Sequence, residues 1–336
     1  MLGNNSNKQG TRGGKMKIII PDDYQHAVQT LECFRLLDGF DVEIYHDTVT
    51  DIDELARRFA GADALVLTRE RTRITEDLLA RLPRLKLISQ TGKVAGHVDV
   101  AACTRHNVAI TEGVGSPVAT AELTWALIMA AMRKLVPAVN GMRAGHWQTN
   151  IGDRLEGKTL GIWGYGKIGR RVARYGAAFG MDVLVWGSED SRRQAKADGF
   201  EAAPDRHAFF EQSDVLSLHL RLKPATTGLV RYADLTQMKP SALFVNTSRA
   251  ALVEPGALQR ALSEGRPGRA ALDVFEQEPV YDTNYWALTM PNVLCTPHLG
   301  YVETCSYELY FGAAFRNVIS FFSGKPENVL NPEALG

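Results

Sequence analysis

Three side chains late in this chain have the types and spacing for acid–base chemistry on an anionic substrate. Arg249 stands in NTSRA, directly after the apolar run ALFVN. Glu278 stands in DVFEQEP, just past the run AALDVF, and His298 stands in TPHLG, just past VLC. A guanidinium at the carboxyl end of a strand is placed to bind a carboxylate bidentately. A carboxylate beside an imidazole orients it and favours its protonated form. Such a histidine can donate a proton to a carbonyl oxygen or accept one from an alcohol. Taken singly, each has an ordinary alternative: a solvated arginine, a surface glutamate, a structural histidine. On successive strand ends downstream of a nucleotide motif, the three read as one site.

That motif is TLGIWGYGKIG, residues 159–169. Leu160, Ile162 and Trp163 supply an apolar strand end, and Gly164 permits the tight turn out of it. Gly166 lets a pyrophosphate approach the backbone. Gly169 lets the following helix pack closely on the strand, and the amides at that helix's N-terminus face the phosphates. Tyr165, Lys167 and Ile168 fill the variable positions. A glycine-rich turn alone is common, but here an apolar strand precedes it, an amphipathic helix follows, and a second strand, DVLVW, comes at the right distance. That second strand ends at Gly187, where an NAD site usually carries an acidic residue for the ribose hydroxyls. Gly187 and Ser188 leave room for a 2′-phosphate, with Arg192 or Arg193 placed to pair with it. Glu189 and Asp190 oppose this, and the arginines can equally begin a solvated helix. The cofactor is therefore NAD or NADP, with a slight balance toward NADP.

The elements that must position these residues alternate strand and helix throughout, which predicts parallel sheets in an α/β fold. MKIII, DVEIY, ALVLT, LKLIS and VAIT form a first series, with a helical stretch before DVEIY. The second series begins at the motif and continues through DVLVW, DVLSLHL, ALFVN, AALDVF and VLC. Between them, VGSPVATAELTWALIMAAMRKLV is long, apolar and helical in period, so it should be buried on most faces and also suits a subunit interface. A domain boundary falls near Ser116. The expected division is a tail at residues 1–15, disordered in composition, a substrate domain at 16–116 plus 301–336, and a nucleotide domain at 117–300. The 336 residues suffice for two domains with real cores. Lys plus Arg and Asp plus Glu both number 38, so nothing draws the chain generally to nucleic acid or to an anionic membrane. No apolar run is long enough to span a bilayer. Cys33, Cys103, Cys295 and Cys305 form no CxxC pair, which argues against disulfides and a zinc site and for a reducing cytoplasm.

With these residues in view, the chain resembles the D-isomer-specific 2-hydroxyacid dehydrogenase family, including its D-3-phosphoglycerate dehydrogenase-like members. The matching stretches are GIWGYGKIG, SDVLSLHLRLKPATTGLV, LTQMKPSALFVNTSRAALV, ALDVFEQEP and NVLCTPHLG, in family order. The resemblance implies two doubly wound domains, a Rossmann-like cofactor domain inserted in a discontinuous, flavodoxin-like substrate domain. It implies hydride transfer between NAD(P)H and C2 of a small 2-keto or D-2-hydroxy acid. Arg249 would bind substrate, His298 would be the acid/base and Glu278 its partner. Gly92, Lys93 and Val94 match the loop whose backbone amides hold the substrate carboxylate, and Asp273 matches the position near the nicotinamide carboxamide. Thr120 and His219 also fall at cofactor positions, no metal is expected, and a homodimer is implied. Ala250 replaces a glycine common after the family's arginine, and Arg221 stands where many members have proline; neither removes a catalytic group. Glyoxylate, hydroxypyruvate and phosphohydroxypyruvate remain as substrates. Two other readings are a dinucleotide-sensing protein similar to corepressors built on this fold, and phosphite oxidation.

Overall fold

The computed structural model describes residues 15–336; the expected tail, residues 1–15, lies outside them except for Lys15. Contacts within the chain gather into two compact units. One runs up to Gly115 and resumes at Thr304, and the other is Ser116–Glu303.

The first unit is built on five strands: β1 (Lys17–Ile20), β2 (Asp41–Ile44), β3 (Ala64–Leu67), β4 (Leu87–Gln90) and β5 (Ala109–Thr111). They pair in parallel in the order β2-β1-β3-β4-β5, the flavodoxin-like doubly wound order. Every residue of β3, β4 and β5 is buried, as continuous apolar runs in a sheet covered on both faces must be. The helices that return the chain begin at Asp51, Thr75 and Asp99, each side chain accepting an amide of its own first turn. The helical stretch expected before β2 is two short 3-10 helices, Val28–Thr30 and Glu32–Leu37. The helix Thr304–Phe322 belongs to this unit: Ser89 Oγ donates to the Ala314 carbonyl at 2.9 Å.

The second unit holds seven strands: β6 (Thr159–Trp163), β7 (Asp182–Trp186), β8 (Glu201–Ala202), β9 (Val215–Leu218), β10 (Leu243–Asn246), β11 (Arg269–Leu272) and β12 (Val293–Cys295). All pair in parallel, in the order β12-β11-β10-β9-β6-β7-β8. The order reverses between β6 and β9, and at such a switch point a crevice opens beyond the strands' carboxyl ends. One face of the sheet packs on Phe209, Phe210, Leu235 and Leu258. The other packs on Ile128, Met132 and Val172.

The long apolar run predicted from Val114 is not one helix. It forms Val118–Met132, then turns at Lys134, whose backbone is left-handed (φ 50°), and resumes as Leu135–Arg143. The first piece buries Ala121, Thr124, Leu127, Ile128 and Met132. The second buries nothing. Among the described residues no helix is long and apolar enough to cross a membrane.

Candidate active site

The glycines after β6 form a cradle at the switch point. Gly164 has φ +100°, and a Cβ there would lie 2.5 Å from the His219 carbonyl oxygen, across the point where the strand order reverses. At Gly169 a Cβ would lie 2.1 Å from the Gly164 carbonyl oxygen, so only glycine lets the helix Lys167–Ala178 start this close to the turn. Gly166, the N-cap of that helix, is different. Among the described residues a Cβ on it would meet nothing within 4 Å, and no side chain caps the helix's first amides. Two glycines are thus demanded by packing, and the middle one faces open space beside uncapped amides. These residues fit a dinucleotide's pyrophosphate. Lys167 is exposed and Ile168 packs on the core. The Tyr165 ring is buried with its hydroxyl on Asp198 at 2.8 Å, which leaves its backbone for a nucleotide.

At the end of β7, Ser188 caps the helix Glu189–Ala197 by accepting the Ser191 amide. Arg193 is engaged by Asp190. Arg192 instead lies over the Trp186 ring, 4.8 Å from its centroid, and its buried Nε has no partner among the described residues. Arg192, Arg193, Lys196 and Glu189 line an open cavity of about 620 Å³. Past β9, His219 Nε2 meets Ser217 Oγ at 3.0 Å, while Nδ1 is buried with no partner among the described residues. Burial pulls this imidazole down to about 3.

The His298 loop is wrapped around a buried carboxylate. Asp273, fully buried just past β11, accepts the Thr296 hydroxyl (2.6 Å) and the Leu299 amide (2.7 Å) on Oδ1, and the Gly300 amide (2.9 Å) on Oδ2. Burial pushes its carboxyl above the usual range, against these stabilising donors. Thr120 ties the far side of the loop by donating to the Gly300 carbonyl at 2.7 Å. Held this way, His298 adopts a left-handed backbone (φ 53°), uncommon for a residue with a side chain. Its Nδ1 is 2.6 Å from Glu278 Oε2, and Glu278 Oε1 accepts the Phe275 amide at 2.9 Å. The Tyr301 ring meets the imidazole edge-on at 5.7 Å between centroids. Both members of the pair are mostly buried, so the carboxylate fixes the ring in one orientation. Arg249 follows β10 on a turn built by Asn246, whose Oδ1 accepts the Ser248 amide (3.0 Å) and whose Nδ2 donates to the Arg249 carbonyl (2.9 Å). All three side chains thus stand past the carboxyl ends of neighbouring strands in the sheet that carries the cradle.

In the first unit, Gly92, Lys93 and Val94 follow β4. Lys93 Nζ donates to Glu112 Oε2 at 2.7 Å and the Val94 amide to Glu112 Oε1 at 2.9 Å. A Cβ on Gly92 would lie 2.2 Å from Arg69 Nη1. Arg69 is left-handed (φ 56°) and is strapped down by Thr91 and Gln90, with its guanidinium over the Tyr310 ring at 5.5 Å.

The profile described as "D-isomer specific 2-hydroxyacid dehydrogenase, NAD binding domain" matches residues 125–300. A glyoxylate reductase from Aeropyrum pernix is 37% identical over 308 residues, 88% of this chain and 91% of the relative. A D-3-phosphoglycerate dehydrogenase from Methanocaldococcus jannaschii is 33% identical over 289 residues, 85% of this chain but 53% of that longer protein. The crystal structure of a phosphoglycerate oxidoreductase from Vibrio cholerae superposes with a TM-score of 0.90 at 55% identity, over 92% of this chain and 99% of that one. The chain belongs to the D-isomer-specific 2-hydroxyacid dehydrogenase family. It is an oxidoreductase of that family with a domain of the NAD-binding type.

Four residues that hold the loops carrying the candidate site residues escaped the sequence reading. Asn246 and Thr296 look like ordinary strand-end polar residues, because what they hold is separated from them in sequence or is backbone. Glu112 could not be linked to Lys93 across a whole helix and strand. Arg69 did carry a signal: it follows the apolar run ALVLT just as Arg249 follows ALFVN.

Proposed function

We propose that this chain interconverts a small 2-keto acid and its D-2-hydroxy acid. The observation that carries this reading is the 2.6 Å pair of His298 and Glu278, on a loop clasped by Asp273 at the same sheet edge as the dinucleotide cradle. Bound reduced nicotinamide supplies the hydride taken up at C2. Arg249 binds the carboxylate and the carbonyl of the acid and polarises the latter. With Nδ1–H donated to Glu278, Nε2 of His298 carries the proton to the carbonyl oxygen and takes it back in the oxidative direction. The loop of Gly92, Lys93 and Val94 would receive the carboxylate through amides other than that of Val94, which Glu112 accepts, and Asp273, besides anchoring the His298 loop, would serve the carboxamide end of a bound cofactor. The tie from Thr120 to Gly300 and the backbone of His219 shape that same end.

Glyoxylate, hydroxypyruvate and 3-phosphohydroxypyruvate are the candidate substrates. NADP is the favoured cofactor: Gly187 offers no carboxylate to the ribose, Asp190 is already countered by Arg193, and Arg192 stands stacked on Trp186 beside a basic cavity. Absorbance assays of NADPH and NADH with the three keto acids test both points. Turnover with at least one acid and a higher kcat/KM for NADPH are expected. Nucleotide binding with no turnover would favour a sensor, and a strong NADH preference would reject Arg192 as a phosphate ligand.

We also infer a homodimer. After Lys134 the chain presents Leu135, Val136, Val139, Met142, Trp147 and Ile151 to solvent, with Met142 67%, Trp147 76% and Ile151 88% exposed. An apolar surface of this kind marks an interface. The spacing of the four cysteines, with no CxxC pair, supports a reducing, cytoplasmic setting.

A further inference from the structure

The substrate loop already holds a carboxylate of its own. Glu112, directly after β5, bonds both the Val94 amide and the Lys93 ammonium. Its placement is fixed by its backbone: its amide donates to the Asn328 carbonyl at 3.1 Å and its carbonyl accepts Asn317 Nδ2 at 3.2 Å. The next residue laces the two segments together. The Gly113 amide donates to the Gly92 carbonyl at 2.8 Å, and a Cβ on Gly113 would lie 2.7 Å from the Gln90 carbonyl oxygen. The Glu112 side chain is 20% exposed and that of Lys93 73%, so the pair lies at the loop's surface with the carboxylate on its inner side.

We propose that Glu112 is a specificity-determining residue that biases the enzyme toward 2-keto acids carrying a single negative charge. The proposal rests on the reading above, in which the loop of Gly92, Lys93 and Val94 receives the substrate. Glu112 cancels the charge of Lys93 and occupies the Val94 amide. A second anionic group on the substrate, a phosphate or another carboxylate, therefore finds no uncompensated cation there. Specificity is a difference between two affinities, and withholding a cation from the second anion lowers one of them. Where solvent screens them fully, two unit charges about 4 Å apart interact with about 1 kcal/mol, on the order of five- to tenfold in an affinity.

The experiment compares hydroxypyruvate with 3-phosphohydroxypyruvate, which share a carbon skeleton and differ in a phosphate, on wild type and three variants. The readout is the ratio of kcat/KM for the phosphorylated over the unphosphorylated acid. Glu112→Gln keeps an acceptor for the Val94 amide and releases the charge of Lys93, so the ratio should rise about five- to tenfold, through KM. Lys93→Gln leaves Glu112 uncompensated and should lower the ratio. The double variant should return it close to the wild-type value. A purely structural latch would change both substrates alike and leave the ratio still. An unmoved ratio in both single variants, or a gain in Glu112→Gln that survives in the double variant, overturns the proposal while the hydride-transfer reading stands. A wild type that reduces neither acid, nor glyoxylate, overturns that reading and this proposal with it.

Discussion

Each ionisable residue near the strand ends has a job set by its surroundings. Asp273 is a buried carboxylate satisfied by two amides and a hydroxyl of the His298 loop, so its first effect is to fix where the imidazole stands. His219 is the opposite case, an imidazole kept neutral by burial, pulled from 6.5 to about 3. The sign of its effect on stability follows. Between pH 6.5 and about 3 the unfolded chain binds a proton that the folded chain does not, so stability contributed by the neutral ring is lost as pH falls through that window. The loss is at most about 1.4 kcal/mol per pH unit. Thermal unfolding of wild type and His219→Gln from pH 7 down to pH 4 measures it, and the variant should show the shallower acid limb. Equal slopes would contradict a buried neutral histidine. At this scale the sequence carried residue types well. The places of Arg249, Glu278 and His298 past strand ends were legible because the apolar runs before them are strands. Thr296 was not, because its partner Asp273 becomes a neighbour only when separate strands line up, and Asn246 was not, because what it holds is backbone.

The motif after β6 turns on what each glycine touches. A Cβ on Gly169 would abut the Gly164 carbonyl, and one on Gly166 would meet nothing within 4 Å. Alanine should therefore separate two roles that the sequence pattern lumps together. Gly169→Ala forces a backbone shift and should destabilise the apoprotein by about 1–3 kcal/mol, as overpacking does. Gly166→Ala should leave the apoprotein's Tm where it is and weaken dinucleotide binding at least tenfold. Calorimetry and equilibrium titration with NADPH decide this, and equal Tm losses in both variants would refute the assignment. The strands were legible as apolar runs, since both sheets are parallel and covered on both faces. Only β8, two residues at a sheet edge, left no such trace. The break at Lys134 was hidden for a different reason. The chain stays apolar across it, because the second helix keeps apolar residues although it buries none of them.

For the whole molecule, that exposed face and the loop bearing His298 make separate claims. If two copies cover the segment bearing Met142, Trp147 and Ile151, light scattering should report a dimer, and Trp147→Asp with Ile151→Asp should shift it toward monomer. A wild-type monomer would reject the dimer. The two-unit organisation, split near residue 116, was legible because the nucleotide motif lies mid-chain, with a full series of strands before it. The central claim is that His298 moves the proton that accompanies hydride transfer. Its most direct test is NADPH consumption with hydroxypyruvate by wild type and His298→Ala, with cofactor affinity measured on both proteins. The account predicts turnover in wild type, a fall of about 10²–10⁴ in kcat in the variant, and unchanged cofactor binding. A variant that turns over at the wild-type rate would contradict it.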